Sequence, residues 1–331
     1  MSKFRESRDR GSAYLLSQVK PDGFVGDPSQ GVADYYKPLW ALQSCGETKA
    51  ANRLCDWVRK NGITPEGDFG PRPEFFKGSA HLYPNAWTVI AAQRLGQFDI
   101  AQRGMDFIAR QWDSESGGFY GDLNSHTAET QQATMVTSFC GQAAIYTGRM
   151  DIAEGVGGWA KTVFEAQPDF PARLYTNYTR AGGLVTDYPA EDEIDHVLIA
   201  SEARDQAFFQ PGVIGAFLSR LYQATGNAEW LDLAKEYMHF AEGASDYLFR
   251  ILRAGKVGWA ASVLYTLSGE SKYRDMAVRI GDNLIALQSE DGYWSGALEI
   301  TDTLSPEVTA EMVIWLDEIH QAVGQEVAVP L

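Results

Sequence analysis

Six apolar stretches of this chain each begin beside aromatic or polar residues, and in five of them one can move a proton or hold charge. Asp34, Tyr35, Tyr36 and Lys37 lead the first, and His81, Tyr83, Asn85 and Trp87 the second, in "HLYPNAW". His126, Glu129, Gln131 and Gln132 lead the third; Phe208, Phe209 and Gln210 lead the fourth. Lys256 and Trp259 belong to the fifth, Glu307 and Glu311 to the sixth. Tyr175, Tyr178, Asp187, Tyr188 and His196 fall between the third and fourth. Carboxylates and imidazoles are the usual general acids and bases. A carboxylate set against aromatic rings loses hydration, its pKa rises, and it can donate a proton. Asp187, His81, Glu129 and Glu307 are therefore expected as catalytic groups. Tyr36, Lys37, Tyr83, Trp87, Gln132, Tyr175, Tyr178, Phe209, Gln210, Lys256 and Trp259 are expected to bind substrate. Plainer roles compete. Asp187, before Tyr188-Pro189, suits an Asx turn; Glu129 and Glu307 suit helix N-termini; Lys37 and Lys256 suit ion pairs with carboxylates.

The elements that would position these groups follow from a repeat. Gly46, Gly96, Gly148, Gly226 and Gly269 each end an apolar run, and a new amphipathic run follows at once, as in "RLGQFDIAQRG" and "YTGRMDIAEGV". Glycine just past a helix end, followed by a polar residue that can open the next helix, marks a tight antiparallel turn. Helices with a charged stripe ("DIAQRGMDFIARQW") alternate with helices apolar on nearly all sides ("VGWAASVLYTLSG"). The first kind is an outer helix with one wet face, the second a buried one. Six of each predict an all-α fold, an (α/α)6 barrel of six helical hairpins, as one toroid domain over 1–331. Pro38, Pro84, Pro211 and Pro306 are expected near the starts of buried helices, where the missing N–H costs nothing. The interval from Gly148 to Gly226 is 78 residues where the other intervals are 43 to 52. An insertion of about 168–203 at the barrel mouth accounts for it. Within it, "ARLYTNYTRAGGLVTDYP" reads as a β-hairpin near 171–189 turning at Ala181-Gly182-Gly183.

The corners carry a further pattern. Arg10-Gly11-x-x-Tyr14-Leu15-x-x-Gln18 precedes Asp22-Gly23-Phe24, and Arg103-Gly104-x-x-Phe107-Ile108-x-x-Gln111 precedes Gly117-Gly118-Phe119. Gln288-x-x-x-Gly292-Tyr293-Trp294 is the fullest copy. Glutamine can bond free backbone groups of the turn, glycine allows its dihedrals, and the aromatic ring packs over the helix end. This resembles the QW motif of the terpenoid cyclase and protein prenyltransferase toroid superfamily, over essentially the whole chain as a repeat. The resemblance implies a toroid and cyclase-type chemistry. The chain departs from that pattern in lacking a D-x-D-D acid motif; the nearest run, Glu191-Asp192-Glu193-Ile194-Asp195, has other spacing. It also lacks D-D-x-x-D and any basic cluster for a diphosphate.

Bulk properties narrow the rest. A net charge of -16 argues against nucleic acid and against an anionic membrane. No apolar run approaches the ~18 residues of a membrane span, and "MSKFRESRDRGSAYLL" lacks a secretory apolar core. Three cysteines without CxxC spacing fit reduced thiols. A cytoplasmic location is expected. Histidines 81, 126, 196, 239 and 320 show no metal-ligand spacing, and no P-loop, dinucleotide fingerprint or nucleophile elbow is present. No metal and no cofactor is expected. The expected partner is a small-molecule substrate; oligomeric state is left open. The reading is a cofactor-independent cyclase or isomerase, with lyase chemistry as a variant, templating an apolar terpenoid- or polyketide-like molecule. The alternatives are a carbohydrate-active α/α-barrel enzyme (hydrolase, epimerase or lyase) using paired carboxylates, and a non-catalytic binding or scaffold protein.

Overall fold

Five glycines turn the chain back on itself at one end of the molecule. Gly46, Gly96, Gly148, Gly226 and Gly269 all hold φ between +70° and +81°, the left-handed conformation that only glycine adopts cheaply. The structure, a computed structural model, describes residues 2–189, 193, 195–296 and 306–324. Twelve α-helices lie among them. The outer set is α1 (Lys3–Ser17), α3 (Thr48–Trp57), α5 (Phe98–Ala109), α7 (Met150–Glu165), α9 (Ala228–Gly243) and α11 (Ser271–Ala286). The inner set is α2 (Val32–Ser44), α4 (Leu82–Arg94), α6 (Thr134–Thr147), α8 (Gln210–Thr225), α10 (Gly255–Ser268) and α12 (Pro306–Val323). Inner helices bury almost every side chain: α4 is buried from Leu82 through Ala92. Outer helices bury one stripe, as Ile100, Ala101, Gly104, Met105 and Ile108 do on α5.

Closure is direct. Each inner helix packs on the next, α12 returns to α2, and α1 lies against α12. The chain is an (α/α)6 barrel. Gln288 seals the seam, with Nε2 donating to the Gly292 carbonyl at 2.8 Å and the Ser7 carbonyl at 3.0 Å, while Ser7 Oγ donates to its Oε1 at 2.7 Å. Trp294 is buried and donates to the Leu284 carbonyl at 2.7 Å. This copy behaves as expected. The other two differ: Gln18 bonds the Ser17 hydroxyl and Gln111 pairs with His126. Antiparallel bridges hold those corners instead, Val19 to Val25 and Trp112 to Phe119, with a third from Ile63 to Phe69.

Two expectations are corrected. Pro38 lies inside α2, not at its start, because the helix begins at Val32 behind Gly31; it forgoes the bond its N–H would have made one turn back. The insertion also holds more than a hairpin. β3 (Asn177–Thr179) and β4 (Gly183–Leu184) pair as expected, Tyr178 opposite Leu184, but β1 (Gln132–Ala133) adds a third strand. β2 (Arg173–Tyr175) instead pairs with β5 (Val197–Ile199). Of the acidic run at 191–195, only Glu193 and Asp195 are described, so the rest lies outside the described residues. Among the described residues no helix is long and apolar enough to cross a membrane, and all three cysteines are free thiols.

Glycine packing gives a stability test. At Gly46 (φ +81°) an added Cβ meets nothing within 4 Å, whereas at Gly117 (φ +87°) it would stand 2.1 Å from the Gly155 carbonyl oxygen. Thermal denaturation should show Gly46→Ala losing about 1 kcal/mol, the cost of a left-handed alanine. Gly117→Ala should lose at least twice that through the backbone clash. Equal melting shifts for the two would contradict the corner packing.

Candidate active site

Four charged side chains meet on the barrel axis. Lys37 enters from α2, Lys256 from α10, and Glu307 and Glu311 from successive turns of α12. Lys37 Nζ donates to Glu307 Oε1 at 2.7 Å and also to Glu311. Lys256 Nζ donates to the other oxygen of Glu311, and Tyr36 OH donates to Glu307. Trp315 Nε1 adds a bond to Glu311 at 3.1 Å. Side-chain exposure is 4% for Lys37, 6% for Lys256, 8% for Glu311 and 20% for Glu307. Glu307 is thus the group of the four most open to solvent.

Aromatic rings wall this cluster. Lys37 Nζ lies 5.0, 5.8 and 5.7 Å from the rings of Tyr36, Tyr83 and Trp87. Lys256 Nζ lies 5.1 Å from Phe209. Phe76, from the loop before α4, meets Tyr36 edge-on at 5.3 Å. Below, Trp40, Trp87, Phe139, Trp259 and Trp315 fill the axis, with Trp259 stacked 4.8 Å from Trp315. The site is a charged floor on an aromatic plug.

The charges are unequal in their effects. Burial favours the neutral form of every group here. It pulls Lys37 down, but two adjacent carboxylates outweigh it and raise the lysine above its ordinary value. Lys256 has Glu311 alone, with Lys37 and Arg253 repelling it, so burial wins and its pKa falls. Burial would raise Glu311, yet Lys256 and Lys37 hold it well below the carboxylate range. Tyr36 rises through burial and the charge of Glu307, and Tyr83 through burial first. Glu311, one turn beyond the expected Glu307, is thus held ionised, because two ammonium groups outweigh the loss of hydration.

Tyr36, Lys37, Tyr83, Trp87, Phe209, Lys256, Trp259 and Glu307 thus gather about one axis. Gln210, the first residue of α8, is buried beside Phe209. The remaining residues do not join them. His81 turns outward, with Nε2 3.0 Å from both oxygens of Asp68 and its ring 6.2 Å from Phe107 on outer helix α5. Gln132 lies buried beneath a corner, bonded to Asp113, Ser116 and Trp159. The backbone N–H and carbonyl of Tyr175 bond the Gln167 amide, and Tyr178 meets Trp159 of α7 edge-on at 6.4 Å. Glu129 and Asp187 are exposed on connecting loops. Glu307 and Glu311, one turn apart on α12 and bridged by Lys37, are the paired carboxylates of the axis. Sequence reasoning also missed Asp68 and Arg72 as partners of His81, and Asn85 as the residue that braces those two. Asn85 and Arg72 bond each other at 2.6 Å, and Asn85 donates to Asp68 at 2.8 Å.

No protein-family model matches the chain, and no curated protein matches it. Solved structures do. A D-mannose isomerase matches with a TM-score of 0.71 at 12% identity, over 97% of both chains. A sugar epimerase from a ruminal bacterium gives 0.69 at 13%, over 97% of this chain and 99% of its own. An α-1,6-mannanase of Salegentibacter sp. HEL1_6 gives 0.66 at 12%, over 97% of this chain and 100% of its own. The barrel fold is common to all.

Removing Glu311 would leave two buried lysines short of a partner. Glu311→Gln should cost about 3 kcal/mol or more at neutral pH. Glu311 has a depressed folded pKa, so its contribution is present above the unfolded value of about 4.3 and fades as pH falls below it. Urea titrations at neutral pH and near pH 3 should show the gap between variant and wild type narrowing with acid. A constant gap would mean that Glu311 is not the ionised partner.

Proposed function

We propose that the chain is a carbohydrate-active enzyme that shuttles a proton on a monosaccharide, as an aldose isomerase or epimerase, at the axial cluster. The observation that carries this reading is the buried relay Tyr36–Glu307–Lys37–Glu311–Lys256 under aromatic walls. The names of the matching structures, a mannose isomerase and a sugar epimerase, support it. Moving a proton between or across sugar carbons needs a base reachable from solvent and cations beside the developing enediolate oxygens. Glu307 is the base in this reading, and Lys37 and Lys256 are the cations. Tyr36 and Tyr83 hold hydroxyls, and the rings take the C–H faces of the sugar.

Two rival chemistries fit less well. Glycosidic cleavage needs one carboxyl kept protonated beside an ionised one, whereas Lys37 donates to both Glu307 and Glu311, an arrangement that favours two carboxylates. A terpenoid-like substrate would have to lie against four charged groups and strip the water from Glu307 without replacing its hydrogen bonds. A polyol replaces them. The carbohydrate alternative is accordingly preferred here to the apolar-substrate reading.

The test is a panel of aldoses, D-mannose included, incubated with the protein in D2O and followed by NMR. A ketose or C2 epimer should form with deuterium entering at the exchanged carbon. Glu307→Gln should lower kcat by about 10²–10⁴-fold, the usual worth of a general base, with the circular dichroism unchanged. If the wild-type protein converts none of the panel, the reading is wrong.

A further inference from the structure

A second polar centre lies off the axis. Between the 64–81 connection and the 122–124 loop is a cleft of about 390 Å³, bordered by Asp68, Phe69, Lys77, His81, Asp122 and Asn124. That is the small end of the range for ligand pockets, ~300–1,000 Å³, and suits a single ring. Its wall is rigid. Arg72 donates to the carbonyls of Phe69 at 2.8 Å and His81 at 2.9 Å, and to Asn85 Oδ1 at 2.6 Å. Asp68 receives Asn85 Nδ2 at 2.8 Å, Arg72 at 3.2 Å and the Phe69 N–H at 2.8 Å.

This scaffold presents one imidazole. Both Asp68 oxygens stand 3.0 Å from His81 Nε2, which places a proton on Nε2 and leaves Nδ1 as the basic nitrogen. Burial opposes ionisation of Asp68, but hydrogen bonds from His81 and Asn85 and the nearby positive charge keep its pKa below the ordinary value. Nδ1 has no hydrogen-bond partner among the described residues. The facing loop brings the Asp122 carboxylate and the Asn124 amide, Phe69 and Leu123 add apolar lining, and Lys77, paired with Glu74 at 2.7 Å, borders the cleft on the His81 side. A base held in one tautomer, hydroxyl-binding groups opposite and no buried nucleophile together describe a site for hydroxyl deprotonation.

We propose that this cleft is a second catalytic site, in which His81 opens and recloses the ring of an aldose hemiacetal. The inference rests on the reading that the chain takes sugars. In the step, His81 Nδ1 takes the proton of the anomeric hydroxyl, the C1–O1 carbonyl forms, and the C1–O5 bond breaks. The ring oxygen takes a proton from water. Reclosure on the other face of C1 reverses each transfer: O5 returns its proton to the hydroxide left by water, and the proton held on Nδ1 goes back to O1, with no change in oxidation state. Asp68 acts as a positioning residue. The product, an open-chain aldose or the other anomer, is the form that a proton-shuttling reaction at C2 consumes.

Anomer exchange of D-mannose, followed by exchange NMR in dilute buffer, tests this in the same tube as deuterium uptake at C2. The wild-type chain should speed anomer interconversion at least tenfold over buffer. Methyl α-D-mannoside, which cannot open, should inhibit competitively. His81→Gln should return the rate to that of buffer while the melting curve stays cooperative. Asp68→Asn should lower kcat more than it changes KM, as loss of positioning without loss of contact would. Failure of the axial reading removes C2 exchange alone and leaves anomer exchange standing. Anomer exchange at the buffer rate with wild-type protein, or a full rate with His81→Gln, overturns the assignment.

Discussion

Two lysines and two glutamates withdrawn from water at the centre of a helical ring are the constraint to which the rest of the barrel answers. Each would lose several kcal/mol on leaving water alone. Together they are tolerable only because every ammonium has a carboxylate and the two carboxylates share Lys37. That sharing requires α2, α10 and α12 to approach one another across the axis, which a closed ring enforces and an open arc would not. The α12–α2 contact, and the Gln288 bonds that fasten the last corner to α1, thus bear on the charge cluster as much as on the fold.

The fold was legible because it is written many times. Five left-handed glycines, alternating wet and dry helices, and one overlong interval each point to six hairpins with an insertion. No single signal is strong, but all agree. The corner motif was legible in kind and less so in detail. Gln288 bonds the turn carbonyl as its chemistry allows, whereas Gln111 is taken by His126, a partner 15 residues away that no local pattern reveals. Pro38 misled for the same reason. Its position in α2 depends on where Gly31 breaks the chain upstream, not on proline's own preference.

The site was legible by type and not by direction. Eight of the fifteen expected site residues converge on the axis, and those that do not are mostly on the insertion and its neighbouring loops. Asp187 and Glu129 had the right chemistry on segments whose outward course is set by β1, β3 and β4 pairing. Glu311 carried the reverse lesson. Burial alone would raise its pKa, and the arrival of Lys37 and Lys256 from helices remote in sequence reverses the sign. Charge pairing across hairpins is invisible to a reading made one helix at a time.

Helical phase explains the sharpest difference. Residues three or four apart share a face, while residues two apart lie about 200° apart around the helix. Tyr83 and Trp87 therefore both look inward on α4, as do Tyr36 and Trp40 on α2, Lys256 and Trp259 on α10, and Glu307 and Glu311 on α12. His81, two residues before Tyr83, must look the other way, toward Asp68 and α5. The same phase stacks the axis in layers. One turn deeper than the charged groups come Trp40, Trp87, Trp259 and Trp315, with Phe139 from α6 closing the set. That layer shuts out water from below, lowers the local dielectric and so strengthens the ion pairs above it. It would also fix how deep a molecule in the proposed axial site could travel. The reactive groups lie where they do because a charged turn placed any lower would meet only rings.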